Sequence, residues 1–324
     1  MLGVPEPLVS SSQSSIDRVI YWAQLTLLHP VLTWVFWLLG LPAWFCLTVD
    51  IIWLILWVDG RKRVKKDKIK VLITGGSQGL GMEIVKKLVS VSEKVYILDI
   101  EEPKFQHEKL EYYKCNVTDN QELSRCFDKI MKNAGQLDIL INNAAIRGSG
   151  AFMNSSQEHF LQGFNVNFLS HVGLMRKLIK IHSSNYMNPD IPRKNLHIIT
   201  ISSILGLVGP RNLSMYSATK SALLTFIESI SHEVRSQDVS FATFLPGQLD
   251  TAMFSDVSVT HNFLAPVVEA EKLAIRVVDA CLYTREGTFM WPLYTWAIPI
   301  LRILPFTITE WARHFSGMDN QIIQ

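Results

Sequence analysis

The chain reads as an α/β protein built on a single doubly wound parallel sheet, preceded by a long apolar segment. Three observations predict this. From residue 69 onward, short and continuously apolar runs alternate with amphipathic helical stretches, the pattern of strands buried on both faces and covered by helices. The first run ends in a glycine-rich turn, TGGSQGLG at 74–81, that leads straight into a helix. Residues 31–49 carry no charged side chain, a length comparable to the ~20 residues that span a ~30 Å hydrocarbon layer.

Composition narrows the class further. The 324 residues carry 31 Lys+Arg against 29 Asp+Glu, so neither nucleic acid nor a strongly acidic partner is indicated. The four cysteines (Cys46, Cys115, Cys126, Cys281) are scattered, with no CxxC pair and no metal-ligand spacing. They read as reduced thiols packed like small hydrophobes, and no metal is expected. The chain divides into a tail (1–24), a hydrophobic membrane anchor (25–60), a basic linker (61–68), the α/β domain (69–290) and an apolar extension (291–324).

The anchor begins too far from the N-terminus for a cleaved signal peptide and has no small-residue cleavage site. Trp22, Trp34, Trp37, Trp44, Trp53 and Trp57 suit the headgroup level. Either one tilted span or a hairpin broken at Gly40 and Pro42 fits, with the hairpin slightly favoured because proline disfavours a continuous helix. The basic run from Arg61 to Lys68 places the α/β domain on the cytosolic face and could draw anionic lipid at roughly 1 kcal/mol per charge. The second apolar stretch, 289–306, contains Pro292, Pro299 and Pro305. It is expected to form short helical pieces at a bilayer surface or beside a substrate entrance, with ordinary packing as the alternative.

Within the domain, Ile69–Thr74 reads as a buried strand and the turn opens a helix running to about Val91. Glycines at 75, 79 and 81 let backbone approach a pyrophosphate, and the helix N-terminus offers it unpaired N–H groups. The cofactor contacts expected there are Gly75, Ser77, Gln78, Gly79, Leu80 and Gly81. A second strand, Lys94–Asp99, ends in a carboxylate suited to ribose hydroxyls and repellent to a 2′-phosphate. Ile100, Glu101 and Glu102 follow it without a cation, which argues for NAD(H) over NADP(H). Strands at Glu111–Cys115 and Leu137–Ile141 come next, and the short link between Asp99 and Glu111 leaves little room for a helix.

The catalytic half follows. A long helix from Gln157 to Ser183 carries Asn165 and Asn167, a polar insertion spans 185–194, and an apolar strand, Leu196–Ser202, ends at Ser203. A helix starting near Ser214 places Tyr216 and Lys220 on one face. A tyrosine with its ordinary pKa near ~10 is a poor acid/base at neutral pH. A nearby ammonium is expected to lower that value. Together with a serine hydroxyl for a carbonyl or carbinol oxygen, these are the parts of a hydride-transfer site.

TGGSQGLG, NNAA at 142–145, Asn167, Ser203, YSATK at 216–220 and LPGQLDT at 245–251 resemble the short-chain dehydrogenase/reductase family over roughly residues 69–290. The resemblance implies a Rossmann-type domain in which Tyr216 is the acid/base and Ser203 positions the substrate oxygen. Lys220 would hold the nicotinamide ribose and tune the tyrosine, while Asn167 would anchor a relay water, with Asn165 as its competitor. Asn116, Val117 and Asn143 would line the adenosine side, and Pro246, Gly247 and Thr251 the nicotinamide. Two positions depart from the family pattern: Ala145 stands where a glycine is usual, and Asn116 where an aspartate is.

The anchor and the apolar C-terminus resemble the membrane-bound 17β-hydroxysteroid and retinol dehydrogenase-like branch. That implies oxidation or reduction of a steroid-, retinoid- or lipid-like alcohol or carbonyl, at the endoplasmic reticulum or lipid-droplet surface. Met253, Phe254, Phe263 and Leu264 in the 249–268 loop suit such a substrate. The alternatives are an NADPH-dependent lipid ketone reductase such as a 3-ketosphinganine reductase, and a non-catalytic membrane scaffold. The family's habit of pairing through long helices leaves a homodimer open.

Overall fold

The computed structural model describes residues 68–148, 150–187, 194–257 and 265–319. The expected anchor at 25–60, the basic run before Lys68, residues 188–193 of the polar insertion, and Phe263 and Leu264 lie outside the described residues. Among the described residues, no helix is long and apolar enough to cross a membrane.

The apolar runs become seven parallel strands. They are β1 (Lys70–Thr74), β2 (Lys94–Asp99), β3 (Leu110–Lys114), β4 (Ile139–Asn142), β5 (Leu196–Ile201), β6 (Val239–Pro246) and β7 (Gly287–Trp291). They lie side by side in the order β3-β2-β1-β4-β5-β6-β7. The order reverses between β1 and β4, the switch point outside whose strand ends open α/β sheets bind ligands. Residues 100–109 form no helix, so the β2–β3 link is a plain connection as its length requires.

Helices cover both faces. On one side α1 (Gly79–Val91) supplies Ile84, Val85 and Leu88, and a later helix adds Leu273, Ala274 and Val277, all packed on Val71, Ile73, Ile97 and Ile141. The other side is covered by α2 (Asn120–Ala134), the continuous run α3 (Gln157–Phe164) to α4 (Ser170–Tyr186), and α5 (Ser214–Glu233). Leu123, Phe127, Leu174, Met175, Leu178, Leu223 and Ile227 meet Leu72, Leu98, Leu140 and Ile198 there. Each of these side chains contributes ~1.5–3 kcal/mol when fully buried, which pins each helix to its face. The Asp119 carboxylate accepts hydrogen bonds from the Gln121 and Glu122 amides and so fixes where α2 begins.

Three elements were not read from sequence: β6, β7 and α6 (Ala270–Tyr283), which pairs Glu271 with Lys87 of α1. β7 absorbs Phe289, Met290 and Trp291 from the stretch expected to be helical. An edge strand with no fully buried residue carries no distinctive boundary signal, and here it merges into the apolar sequence after it. Beyond Pro292 the expectation of short pieces fits: a 3-10 turn (Leu293–Ala297), α7 (Ile298–Leu301) and α8 (Phe306–Ser316).

Candidate active site

Strand ends bring the glycine turn, Asp99, Asn143, Ser203 and Gly247 to one edge of the sheet. The turn is tight enough to require its glycines. A Cβ at Gly81 would sit 1.9 Å from the Gly75 carbonyl oxygen, and Gly75 itself has φ +65° against the Ala144 backbone. Gln78, the residue before α1, makes no side-chain cap, and the first turn holds no acidic group. The leading amides therefore remain available to an anion. The Ser77 N–H donates to Asp99 Oδ2 at 2.9 Å and the Glu101 N–H to Oδ1 at 3.2 Å, so the buried carboxylate is fixed beside the turn. Leu80 faces the core, while Gln78 and Gly79 are exposed.

Asn143 stitches β4 to this turn. Its side-chain amide donates to the Thr74 and Gly75 carbonyls at 3.2 and 2.7 Å, and its own N–H donates to Thr74 Oγ1. Asn116 is exposed and closes a local turn, accepting from the Thr118 N–H and hydroxyl, and Val117 is buried behind it. Thr251 lies against the turn, its Cγ2 3.7 Å from where a Gly79 Cβ would stand. Gly247 leaves room for Tyr294, whose hydroxyl would be 2.2 Å from any Cβ there. These features fit a dinucleotide: a backbone cradle, an uncapped helix end and a buried carboxylate in one place.

The residues expected to transfer the proton converge beside it. Ser203 leaves β5 in an extended conformation, and its hydroxyl accepts from the Leu205 N–H at 3.1 Å. Tyr216 and Lys220 project from the first turns of α5, with Lys220 Nζ 5.6 Å from the Tyr216 ring centroid. Lys220 is only 1% exposed and donates to the Ile201 carbonyl at 2.9 Å. Tyr216 packs among Leu205, Leu213, Phe254 and Val257, with Phe254 edge-on to its ring.

The electrostatics differ from the expectation drawn from the four-residue spacing. Burial pushes the Tyr216 phenol up to about 12, and only a hydrogen bond with Ser203 and the charge of Arg147 pull it back. Burial also brings the Lys220 amine down to about 8. Spacing along a helix sets proximity, but the apolar wall around the phenol decides the direction. The phenol is therefore pushed toward its protonated form.

Asn165 and Asn167 both lie in a π turn (Asn165–Leu169), closed by the Ser170 N–H donating to the Asn165 carbonyl. Asn165 is exposed and Asn167 fully buried. The Asn167 amide donates to the Ile146 carbonyl and to Thr219 Oγ1, while its oxygen accepts from the Ile146 N–H. That side chain is thus occupied in tying the β4 loop to α5.

Two features escaped sequence reasoning. Arg147 makes a two-pronged ion pair with Asp256 at 2.6 and 2.7 Å and lies 5.5 Å over the Phe254 ring, clamping the 252–257 loop beside Tyr216. A lone cation just past the NNAA strand end is the signal that marks it. Asn142 and Thr200 are buried with their side-chain nitrogens and oxygens lacking hydrogen-bond partners, and His171 is buried against the Ala144 backbone. Each such group left dry costs about 1–3 kcal/mol.

Known proteins share this fold. Residues 69–262 match the family described as short chain dehydrogenase, and the chain belongs to that family. It is an NAD(P)-dependent oxidoreductase acting on an alcohol or carbonyl group. An uncharacterized oxidoreductase of Saccharomyces cerevisiae is 29% identical over 260 residues, covering 77% of this chain and 82% of the relative. Epidermal retinol dehydrogenase 2 of Mus musculus is 27% identical over 249 residues, covering 72% and 78%. Among solved structures, a short chain dehydrogenase from Burkholderia cenocepacia in complex with NADP superposes with TM-score 0.64 at 20% identity, over 76% of this chain and 97% of that one. A 3-ketoacyl-(acyl-carrier-protein) reductase from Brucella melitensis complexed with NADH gives 0.59 at 18%, over 69% and 96%.

Proposed function

We propose that the protein interconverts a hydrophobic alcohol and its carbonyl with NAD(H), at a lipid surface. One observation carries this reading: Ser203, Tyr216 and Lys220 meet beside the uncapped glycine turn, in a lining of Leu205, Leu213, Phe254 and Val257. The nicotinamide cofactor, when bound, supplies or accepts the hydride. The glycine turn would hold its pyrophosphate and Asp99 its adenosine ribose. Asn116, Val117 and Asn143 would flank the adenosine side, and Gly247 and Thr251 the nicotinamide side. NAD(H) is favoured because the Asp99 carboxylate would repel a 2′-phosphate and no cation follows it.

The chain's own side chains handle the proton. Ser203 donates a hydrogen bond to the substrate oxygen. Tyr216, held protonated by burial, gives its proton to that oxygen as charge develops there during reduction. The Lys220 ammonium then faces the phenolate left behind and stabilises it. Oxidation runs the same steps in reverse. The likeness to retinol dehydrogenase and the apolar lining support a retinoid-, steroid- or lipid-like substrate.

The uncharged segment 31–49 supports a lipid partner, as does the apolar C-terminal surface. Endoplasmic reticulum or lipid-droplet membrane is the corresponding location. The test is the full chain in vesicles with NAD+, NADH or NADPH and a panel of retinoids, sterols and 3-ketosphinganine, read by nicotinamide absorbance. Turnover of a hydrophobic member, faster with NAD(H) and lost in Tyr216→Phe, is expected. Absence of turnover with every member, together with no binding of either dinucleotide, would overturn the reading.

A further inference from the structure

After β7 the chain turns back onto the site. Pro246 and Trp291, the last residues of β6 and β7, are register partners, and the Gly247 N–H donates to the Trp291 carbonyl at 3.0 Å. The turn that follows is locked. The Thr295 N–H and hydroxyl donate to the Pro292 carbonyl at 3.0 and 2.6 Å, and Thr295 is fully buried. Leu293 and Trp296 of this turn are more than half exposed, whereas Tyr294 between them points inward, onto the backbone that follows β6.

The polar end of the phenol makes this contact. Its hydroxyl oxygen is the atom nearest to where a Gly247 Cβ would stand, ahead of its own Cζ at 3.0 Å and Pro292 Cδ at 3.3 Å. Glycine at 247 is therefore what lets the hydroxyl sit on the backbone. The Gln248 N–H donates to the same oxygen, and burial raises the phenol, which stays protonated. Gln248 is held elsewhere too. Its carbonyl accepts from the Val268 N–H at 2.7 Å, and its side-chain amide donates to the Val257 carbonyl at 2.9 Å. Val257 packs on Tyr216, and Thr251, three residues past Gln248, lies against the glycine turn.

We propose that Tyr294 is a positioning residue for the nicotinamide end of the cofactor. Its hydroxyl fixes the Gly247–Gln248 backbone that borders that end, and through the Gln248 side chain it steadies the 252–257 loop beside Tyr216. The start of the C-terminal extension is thereby a wall of the site. The inference rests on the reading above that Gly247 and Thr251 flank the nicotinamide. The adenosine half meets the glycine turn and Asp99 instead, so Tyr294 serves one end of the dinucleotide and not the other.

NADH and ADP-ribose differ by the nicotinamide, so their affinities for the full chain separate the two ends. Tyr294→Phe keeps the ring and removes the hydroxyl. It should weaken NADH by about fivefold, read by nucleotide fluorescence, and leave ADP-ribose, read by calorimetry, within about twofold of wild type. A loss for ADP-ribose as large as that for NADH would make Tyr294 an ordinary packing residue and overturn the proposal, as would no loss for either. Gly247→Ala, which presses on the hydroxyl, should weaken NADH in wild type and cost less in the Tyr294→Phe background. Equal cost in both backgrounds overturns the proposal as well. If Tyr294→Phe does not fold, a crystal structure of wild type with NADH decides. The hydroxyl should meet the Gln248 N–H, with Gly247 and Gln248 against the nicotinamide; a Tyr294 side chain turned away overturns the proposal. Failure of wild type to bind either ligand would bring down the dinucleotide reading itself, and this inference with it.

Discussion

The catalytic face and the C-terminal extension break the rule of apolar inside and polar outside in opposite directions. Around Tyr216, charged and polar groups are sealed in: Lys220, Asn167 and His171 are almost wholly buried. In the extension, Trp296, Ile303, Phe306 and Trp311 are more than half exposed, Ile303 at 81%. Isolated exposed leucines mean little, but a contiguous apolar surface usually meets a partner. Both regions are costly in water alone. For Lys220 the proposed contact is the cofactor, Asn167 is satisfied by Ile146 and Thr219, and for the exposed apolar side chains the proposed contact is a lipid surface.

The two regions are also tied together. Arg302 donates to the Leu207 carbonyl at 2.6 Å, Arg313 donates to the Gly209 carbonyl at 3.0 Å, and the Arg211 N–H donates to Asp319 at 2.9 Å. The extension is thus bonded to the loop that follows Ser203. A substrate leaving a lipid layer beside the extension would arrive next to the serine that orients its oxygen.

The comparison can be broken first at the buried side. Tyr216→Phe removes the proton donor and should lower kcat by ~10²–10⁴ with NADH binding retained; steady-state kinetics beside fluorescence titration checks both. Asp99→Ser should narrow the preference for NADH over NADPH by about tenfold, equivalent to ~1.4 kcal/mol. Unchanged selectivity would mean that the carboxylate does not read the ribose.

On the exposed side, Ile303→Glu combined with Trp311→Glu should weaken partition of the protein into anionic vesicles by about tenfold or more. The melting temperature should barely move, since exposed substitutions away from packed features change stability by about ±0.5 kcal/mol. A large loss of stability with vesicle binding intact would make the extension an ordinary packing element.

The pH dependence follows from signs. Tyr216, raised to about 12, stays protonated through the neutral range, whereas Lys220, lowered to about 8, loses its charge as pH rises past that value. The reductive rate should therefore fall above about pH 8. A rate that held level to pH 10 would place the ammonium elsewhere in the mechanism. The smallest effect is expected from Arg147→Leu. Without that charge the phenol rises further and the 252–257 loop loosens, for a few-fold loss of kcat in the same assay.

Much of the domain was legible because its signals are local. The β1–turn–α1 unit is legible from an apolar run, glycines and a helical period. Asp99 ends an apolar strand, and four residues of helix bring Tyr216 and Lys220 to one face. β7 was not legible, because a half-buried edge strand running into an apolar tail lacks a boundary signal. The Arg147–Asp256 pair was invisible for another reason: its members lie 109 residues apart. Asn142 and Thr200 read as ordinary polar residues until the fold paired their strands.

By itself, then, the sequence determined the family, the parallel sheet and the placing of Tyr216 and Lys220 on one helical face, since periodicity and short motifs act over a few residues. The tertiary structure alone decided that burial raises the Tyr216 phenol where helical spacing to Lys220 suggested it would fall. It also decided that Lys220 is buried with its amine on the Ile201 carbonyl and that the apolar tail is bonded to the serine loop. Burial, charge and hydrogen bonding at those places are set by groups that meet only after the chain has closed on itself, and no local pattern records them.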